Sequence, residues 1–117
     1  MAQTLAGRLR HILDAIAQIE TYVAGKSFAD YRADDMRRYA VERCLEIASE
    51  ASRCMPPETK ARFPEIPWRV ADFGNVLRHE YEAVINERVW QIVTSDLVPL
   101  KSAVLAMLQE LEKQDGD

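Results

Sequence analysis

The sixteen residues from Ile66 to Tyr81, Ile-Pro-Trp-Arg-Val-Ala-Asp-Phe-Gly-Asn-Val-Leu-Arg-His-Glu-Tyr, hold most of the side chains in this sequence that could do chemistry. Asn75, Arg78, His79, Glu80 and Tyr81 fall within seven positions. On a helix, Asn75 and His79 are four apart and share a face, with Asp72 one turn further back. Tyr81 comes near His79 only where that helix ends. An imidazole titrates near neutrality and can pass a proton to or from a ribose hydroxyl or a leaving oxygen. Asn75 could fix the ring's tautomer or hydrogen-bond a phosphate oxygen. A plainer reading also fits: a His beside a Tyr can be a helix cap or a buried hydrogen-bonded pair. His11 precedes Ile12 and Leu13 and is expected at the core edge. Trp68 and Trp90 are expected as core anchors rather than stacking platforms for bases.

These residues must be held by helices, because apolar residues recur at helical steps and no segment alternates convincingly at period two. Thr4 caps a first helix at roughly 4–24 carrying Leu5, Leu9, Ile12, Leu13, Ile16, Ile19 and Val23, and Gly25 stops it. Ser27 with Asp30 caps a short turn that points Phe28 and Tyr31 inward. Asp34 or Asp35 starts a longer helix to about Met55. Its inward stripe is read as Tyr39, Val41, Cys44, Leu45, Ile47, Ala48 and Ala51, and its solvated side as Arg37, Arg38, Glu42, Arg43 and Glu46. Pro56-Pro57 ends it, and a connector to Pro67 has one helical turn near Glu58–Ala61. A third helix is predicted from Pro67 to His79 or Tyr81, burying Trp68, Ala71 and Leu77. Asn86 caps a fourth, with Pro99 predicting a kink or a fresh start capped by Ser95 or Asp96. The expected fold is one all-α domain over 1–117, an up-and-down bundle of four to five helices.

The 117 residues suit a single domain, and 48% hydrophobic with 29% charged residues is an ordinary globular balance. No unbroken apolar run of membrane-spanning length and no signal pattern is read, so the expected location is cytoplasmic, with no membrane partner. Net charge is −4, and residues 70–117 carry four basic against nine acidic groups. No basic stripe for a long nucleic acid stands out, so any RNA contact would be local. Cys44 and Cys54 would lie ~15 Å apart along one helix, too far for a disulfide's ~7 Å Cα reach. With two histidines and two cysteines, no zinc spacing occurs; no metal or other cofactor is expected.

The chain resembles the HEPN superfamily, specifically the HepT-like toxins of prokaryotic toxin–antitoxin pairs. Leu9-Arg-His-Ile-Leu-Asp-Ala-Ile is similar to that family's first helix, and Ala40-Val-Glu-Arg-Cys-Leu-Glu-Ile-Ala-Ser-Glu-Ala51 to its second long helix. Ile66-Pro-Trp68 resembles the start of its motif helix, and Val89-Trp-Gln-Ile-Val93 with Leu97-Val-Pro-Leu100 its final helix. The family motif is Arg-Asn-x-x-x-His-x-Tyr. Asn75, His79 and Tyr81 match it, but the Arg position is Gly74, and 72 and 73 hold Asp72 and Phe73.

The resemblance implies a metal-independent endoribonuclease acting at a homodimer cleft. His79 is then the acid/base as a ribose 2′-hydroxyl attacks the adjacent phosphate, with Asn75 as helper. A motif Arg would steady the phosphate. Gly74 cannot, and Arg78 is the nearest stand-in, ~100° around a regular helix from His79. Arg69 and Arg88 are more distant options. The implied partner is a minimal nucleotidyltransferase antitoxin that can transfer AMP to Tyr81, placing a bulky anion beside His79. Glu80 and Glu82 would discourage RNA phosphates. Two other readings stay open: a catalytically weakened dimer that binds its partner or a nucleotide, and a helical dimerisation module with no site.

Overall fold

The structure, a computed structural model, describes residues 4–73 and 82–116, and among these it is helical with no strand. The elements are α1 (Leu5–Val23), α2 (Phe28–Ala33), α3 (Asp35–Arg53), α4 (Pro57–Ala61), α5 (Trp68–Ala71), α6 (Glu82–Gln91), a π-helical turn (Ile92–Asp96) and α7 (Leu97–Gly116). Three long rods make the bundle. α1 lies against α3 on one side and α7 on the other, and α6, the π turn and α7 follow one another without a break.

The caps form as the residue types dictate. The Thr4 hydroxyl accepts from the Gly7 N–H at 2.9 Å, and Gly25 leaves α1 at φ +71°, a left-handed conformation that suits glycine. Ser27 and Asp30 form a reciprocal capping box at 3.0 and 3.1 Å. Those bonds, from the Ser27 backbone first and its hydroxyl second, hold the Asp30 carboxyl below its ordinary range. Asp34 caps α3 through the Arg37 N–H. Leu9, Ile12, Ala15, Ile16 and Ile19 of α1 are buried. They meet Val41, Cys44, Leu45, Ala48 and Ala51 of α3, and Leu97, Leu100, Val104, Met107 and Leu108 of the last rod. At its rim Lys101 pairs with Glu20 at 3.0 Å, and Arg10 with Glu112.

Four expectations change. Tyr39 is not in the core but 61% exposed; Arg38 takes the inward position at 7%. Arg38 is kept there by hydrogen bonds to the Arg32 carbonyl and the Asp35 carboxylate, which satisfy a charge that would otherwise be costly to bury. Asn86 does not cap a helix, since α6 begins at Glu82 and Asn86 is buried within it. Pro99 makes no break: it sits in the first turn of α7, and the wide turn ahead of it carries the rod through. Finally, α-helical geometry after Pro67 lasts only to Ala71, with Asp72 and Phe73 in a tighter 3₁₀ turn. The rest of the expected third helix, Leu77 included, lies outside the described residues.

The continuous helix over Ile85–Lys113 is long and apolar enough by composition to cross a membrane, with a mean hydropathy of 1.3. Its apolarity is not gathered in one unbroken run, and Val89, Leu100, Val104 and Met107 are each at most 1% exposed within the bundle. One face of it packs in the core.

Candidate functional site

Gly74, Asn75, Arg78, His79, Glu80 and Tyr81 lie outside the described residues, as does the side chain of Glu82. What the structure describes is the framework on both sides of them in sequence. Before Gly74, the chain is pinned at several points. The buried Ser49 hydroxyl of α3 donates to the Asp72 carbonyl at 3.2 Å. Lys60 of α4 stands 3.8 Å from the Asp72 carboxylate and 5.2 Å from the centre of the Trp68 ring. The Trp68 indole N–H in turn donates to the Lys60 carbonyl at 3.3 Å. Phe73, 5% exposed, fills the core beneath. After Tyr81, α6 is set by Trp90, half-buried and 5.5 Å from the Tyr31 ring and 6.2 Å from Phe28. Both tryptophans therefore act as anchors. Burial, with the Glu42 carboxylate adding to it, pushes the Tyr31 phenol well above its usual range, so the ring is neutral.

The two sides meet. The Arg88 guanidinium carbon lies 5.0 Å from the centre of the Phe73 ring, joining α6 to the residue immediately before Gly74. Around this contact is a cleft of about 370 Å³. Arg69 and Phe73 line one side, Arg88 and Gln91 of α6 the other, and Ile92 and Asp96 of the π turn close it. Arg69 and Arg88, nineteen positions apart in sequence, so share one concavity. The sequence signal for Arg69 and Phe73 sharing a wall was their i, i+4 spacing. Ser49, Lys60, Gln91 and Asp96 were not anticipated, since only the packing of α3, α4 and α6 brings them here.

A second and larger groove, about 490 Å³, runs between α1 and α3. Arg8 and His11 line it from α1, and Arg43, Glu46, Glu50 and Cys54 from α3. Arg43 stands 3.7 Å from Glu46, and Glu50 pairs with Arg53. His11 is exposed at the edge of the core, as expected. Cys54 is exposed, whereas Cys44 is buried, faces Gln18 Oε1 at 3.5 Å, and has its thiol pushed upward by burial; both are free. Among the described residues no three His, Cys, Asp or Glu side chains converge as metal ligands.

Residues 12–107, which bracket the whole framework and the motif within it, match the family described as HepT-like, ribonuclease HepT-like. The chain belongs to the HepT-like ribonuclease family. A relative from Thermococcus cleftensis, named probable ribonuclease HepT, is 38% identical over 94 residues, covering 80% of this chain and 86% of its own. A Methanocaldococcus jannaschii protein, whose name joins a gamma-glutamylcyclotransferase to a provisionally assigned RNase, is 33% identical over 110 residues. That alignment takes in 93% of this chain but 50% of the relative, so the chain spans half of that protein's length. A provisionally named RNase of Caldanaerobacter subterraneus subsp. tengcongensis is 31% identical over 103 residues, with 87% of this chain and 92% of its own covered. No solved structure matches the chain. The pinned Asp72–Phe73 turn and α6 flank the positions of Asn75, His79 and Tyr81 in sequence.

Proposed function

We propose that this chain is the toxin of a toxin–antitoxin pair, a cytoplasmic, metal-independent endoribonuclease that works as a homodimer. His79 moves the proton as the ribose 2′-hydroxyl attacks its neighbouring phosphate and the P–O5′ bond breaks, leaving a 2′,3′-cyclic phosphate and a protonated 5′-hydroxyl, and Asn75 orients the ring or the phosphate. A minimal nucleotidyltransferase antitoxin restrains it, in part by transferring AMP from ATP to the Tyr81 oxygen with release of pyrophosphate, and the added anion would repel an RNA phosphate. The observation that carries this reading is the family match over 12–107, a span that contains Asn75-x-x-x-His79-x-Tyr81. The test is cleavage of total RNA by the purified protein in EDTA. Loss of cleavage in His79→Ala supports the reading, and cleavage that persists in that variant overturns it. Co-expression with the partner followed by mass spectrometry should find one AMP on Tyr81.

A second reading has its own observation. Gly74 stands where the motif has Arg, which favours a weakened nuclease that mainly binds its partner or a nucleotide. Arg78 is the nearest guanidinium in sequence. Gly74→Arg separates the two: a gain in cleavage marks a weakened wild type, and no gain means another group already steadies the phosphate.

A further inference from the structure

We propose that the cleft between α5 and α6 is a phosphate-binding subsite, with Arg69 and Arg88 together gripping a backbone phosphate of a single-stranded RNA. Two guanidinium groups from separate elements line the same concavity of about 370 Å³, and among its described lining residues Asp96 is the one carboxylate. Arg69 is exposed and, among the described residues, has no ion pair. Arg88 is restrained by the Phe73 ring at 5.0 Å, so less rotamer freedom is lost when an anion is gripped. Guanidinium groups present fixed, planar sets of donors that match phosphate oxygens, and two of them can hold one phosphate from two directions. The cleft is small, at the lower end of ligand-site volumes, and open enough for a strand to pass over it. Gln91 adds an amide that can bond a ribose hydroxyl or a base edge.

The identity of the anion as RNA rests on the ribonuclease reading; the anion site itself rests on the cleft. Phe73, in the wall of this cleft, directly precedes in sequence Gly74, which stands at the motif's Arg position. Arg69 and Arg88 are then positioning residues for that phosphate.

The test measures binding apart from cleavage. Full-length His79→Ala protein is titrated against a short fluorescein-labelled single-stranded RNA by anisotropy, at several salt concentrations. Adding Arg69→Gln and Arg88→Gln should weaken binding by on the order of a hundredfold, at roughly tenfold per charged contact. The slope of log K against log salt should fall by about 0.7, as one phosphate of a single strand is no longer neutralised. Arg69→Lys with Arg88→Lys should restore part of both. Arg8→Gln with Arg43→Gln, in the other groove, should change neither. Both arginines are exposed, and an unchanged thermal midpoint confirms that the fold survives. Unaltered affinity and slope in the Gln pair overturn the proposal, as does a cleft that binds ATP but not the RNA strand. If the wild type binds RNA through these arginines yet cleaves none, the ribonuclease reading fails while the subsite stands. If cleavage depends on His79 but binding ignores both arginines, the reverse holds.

Discussion

The groove between α1 and α3 is larger than the cleft between α5 and α6, about 490 against 370 Å³, and it holds a histidine, two arginines and a thiol. By inventory it looks the better site. Its charges, however, answer one another: Arg43 faces Glu46, and Glu50 is paired with Arg53. Its walls are two antiparallel stretches of long helix, and the family motif lies elsewhere in the sequence. The smaller cleft is assembled from α5 and the 3₁₀ turn after it, the last turn of α6 and a π turn, and among its described lining residues two arginines stand with one carboxylate. Volume measures room. Guanidinium groups converging from separate elements and irregular backbone at a junction measure readiness for a ligand.

The sharpest contrast is between the two histidines. His79→Ala should lower the RNA cleavage rate by about a hundredfold or more, the usual weight of a general acid or base. His11→Ala should leave that rate unchanged; equal losses would break the comparison. Next comes the way each region is held. Ser49→Ala strands the Asp72 carbonyl and should cost ~1 kcal/mol in urea unfolding, while Glu46→Gln, at a surface pair, should cost less than ~0.5 kcal/mol. An inverted order would mean that the cleft's anchor is ornamental.

A smaller effect concerns pH. The Tyr31 phenol supports α6 through Trp90 and has its pKa raised by burial. In the unfolded chain it ionises near pH ~10 and in the fold it does not. Stability is therefore intact below that pH and falls as pH rises beyond it, the unfolded state alone shedding the proton. Tyr31→Phe also removes a buried hydroxyl oxygen with no partner among the described residues. It should flatten the alkaline fall in the thermal midpoint without loss at neutral pH. Last, iodoacetamide should label Cys54, on the open groove, well before Cys44, whose burial keeps it a thiol; comparable rates would show that α1 and α3 part readily.

Much of the fold was legible because local chemistry and the helical period agreed. Thr4, Gly25, Ser27 and Asp30 act in the structure as their types suggest. The errors came where residue type and period disagreed. In α3 the inward series is 38, 41, 45, 48 and 52, at steps of three and four. Reading by apolarity put Tyr39 in that series, whereas the period puts Arg38 there, with its charge met by Asp35 and a carbonyl. Asn86, a good cap by type, was absorbed into a helix that starts four residues earlier. At the candidate site the motif residues were plain as types and spacing. The cleft was not, because Arg69 and Arg88 become neighbours only when α5 and α6 close on each other. Ser49 gives no hint in sequence that it will bond to Asp72.

The π turn at Ile92–Asp96 carries a further consequence. Its hydrogen bonds reach one residue further than those of an α-helix, so it behaves as a one-residue insertion that rotates everything downstream by ~100°. The Arg88 end of the rod and the Leu100–Leu108 end thus answer to different clocks. Deleting one residue from this turn would leave both halves helical yet set them out of phase, so the chain could seat its seam against α1 or aim Arg88 at Phe73, but not both.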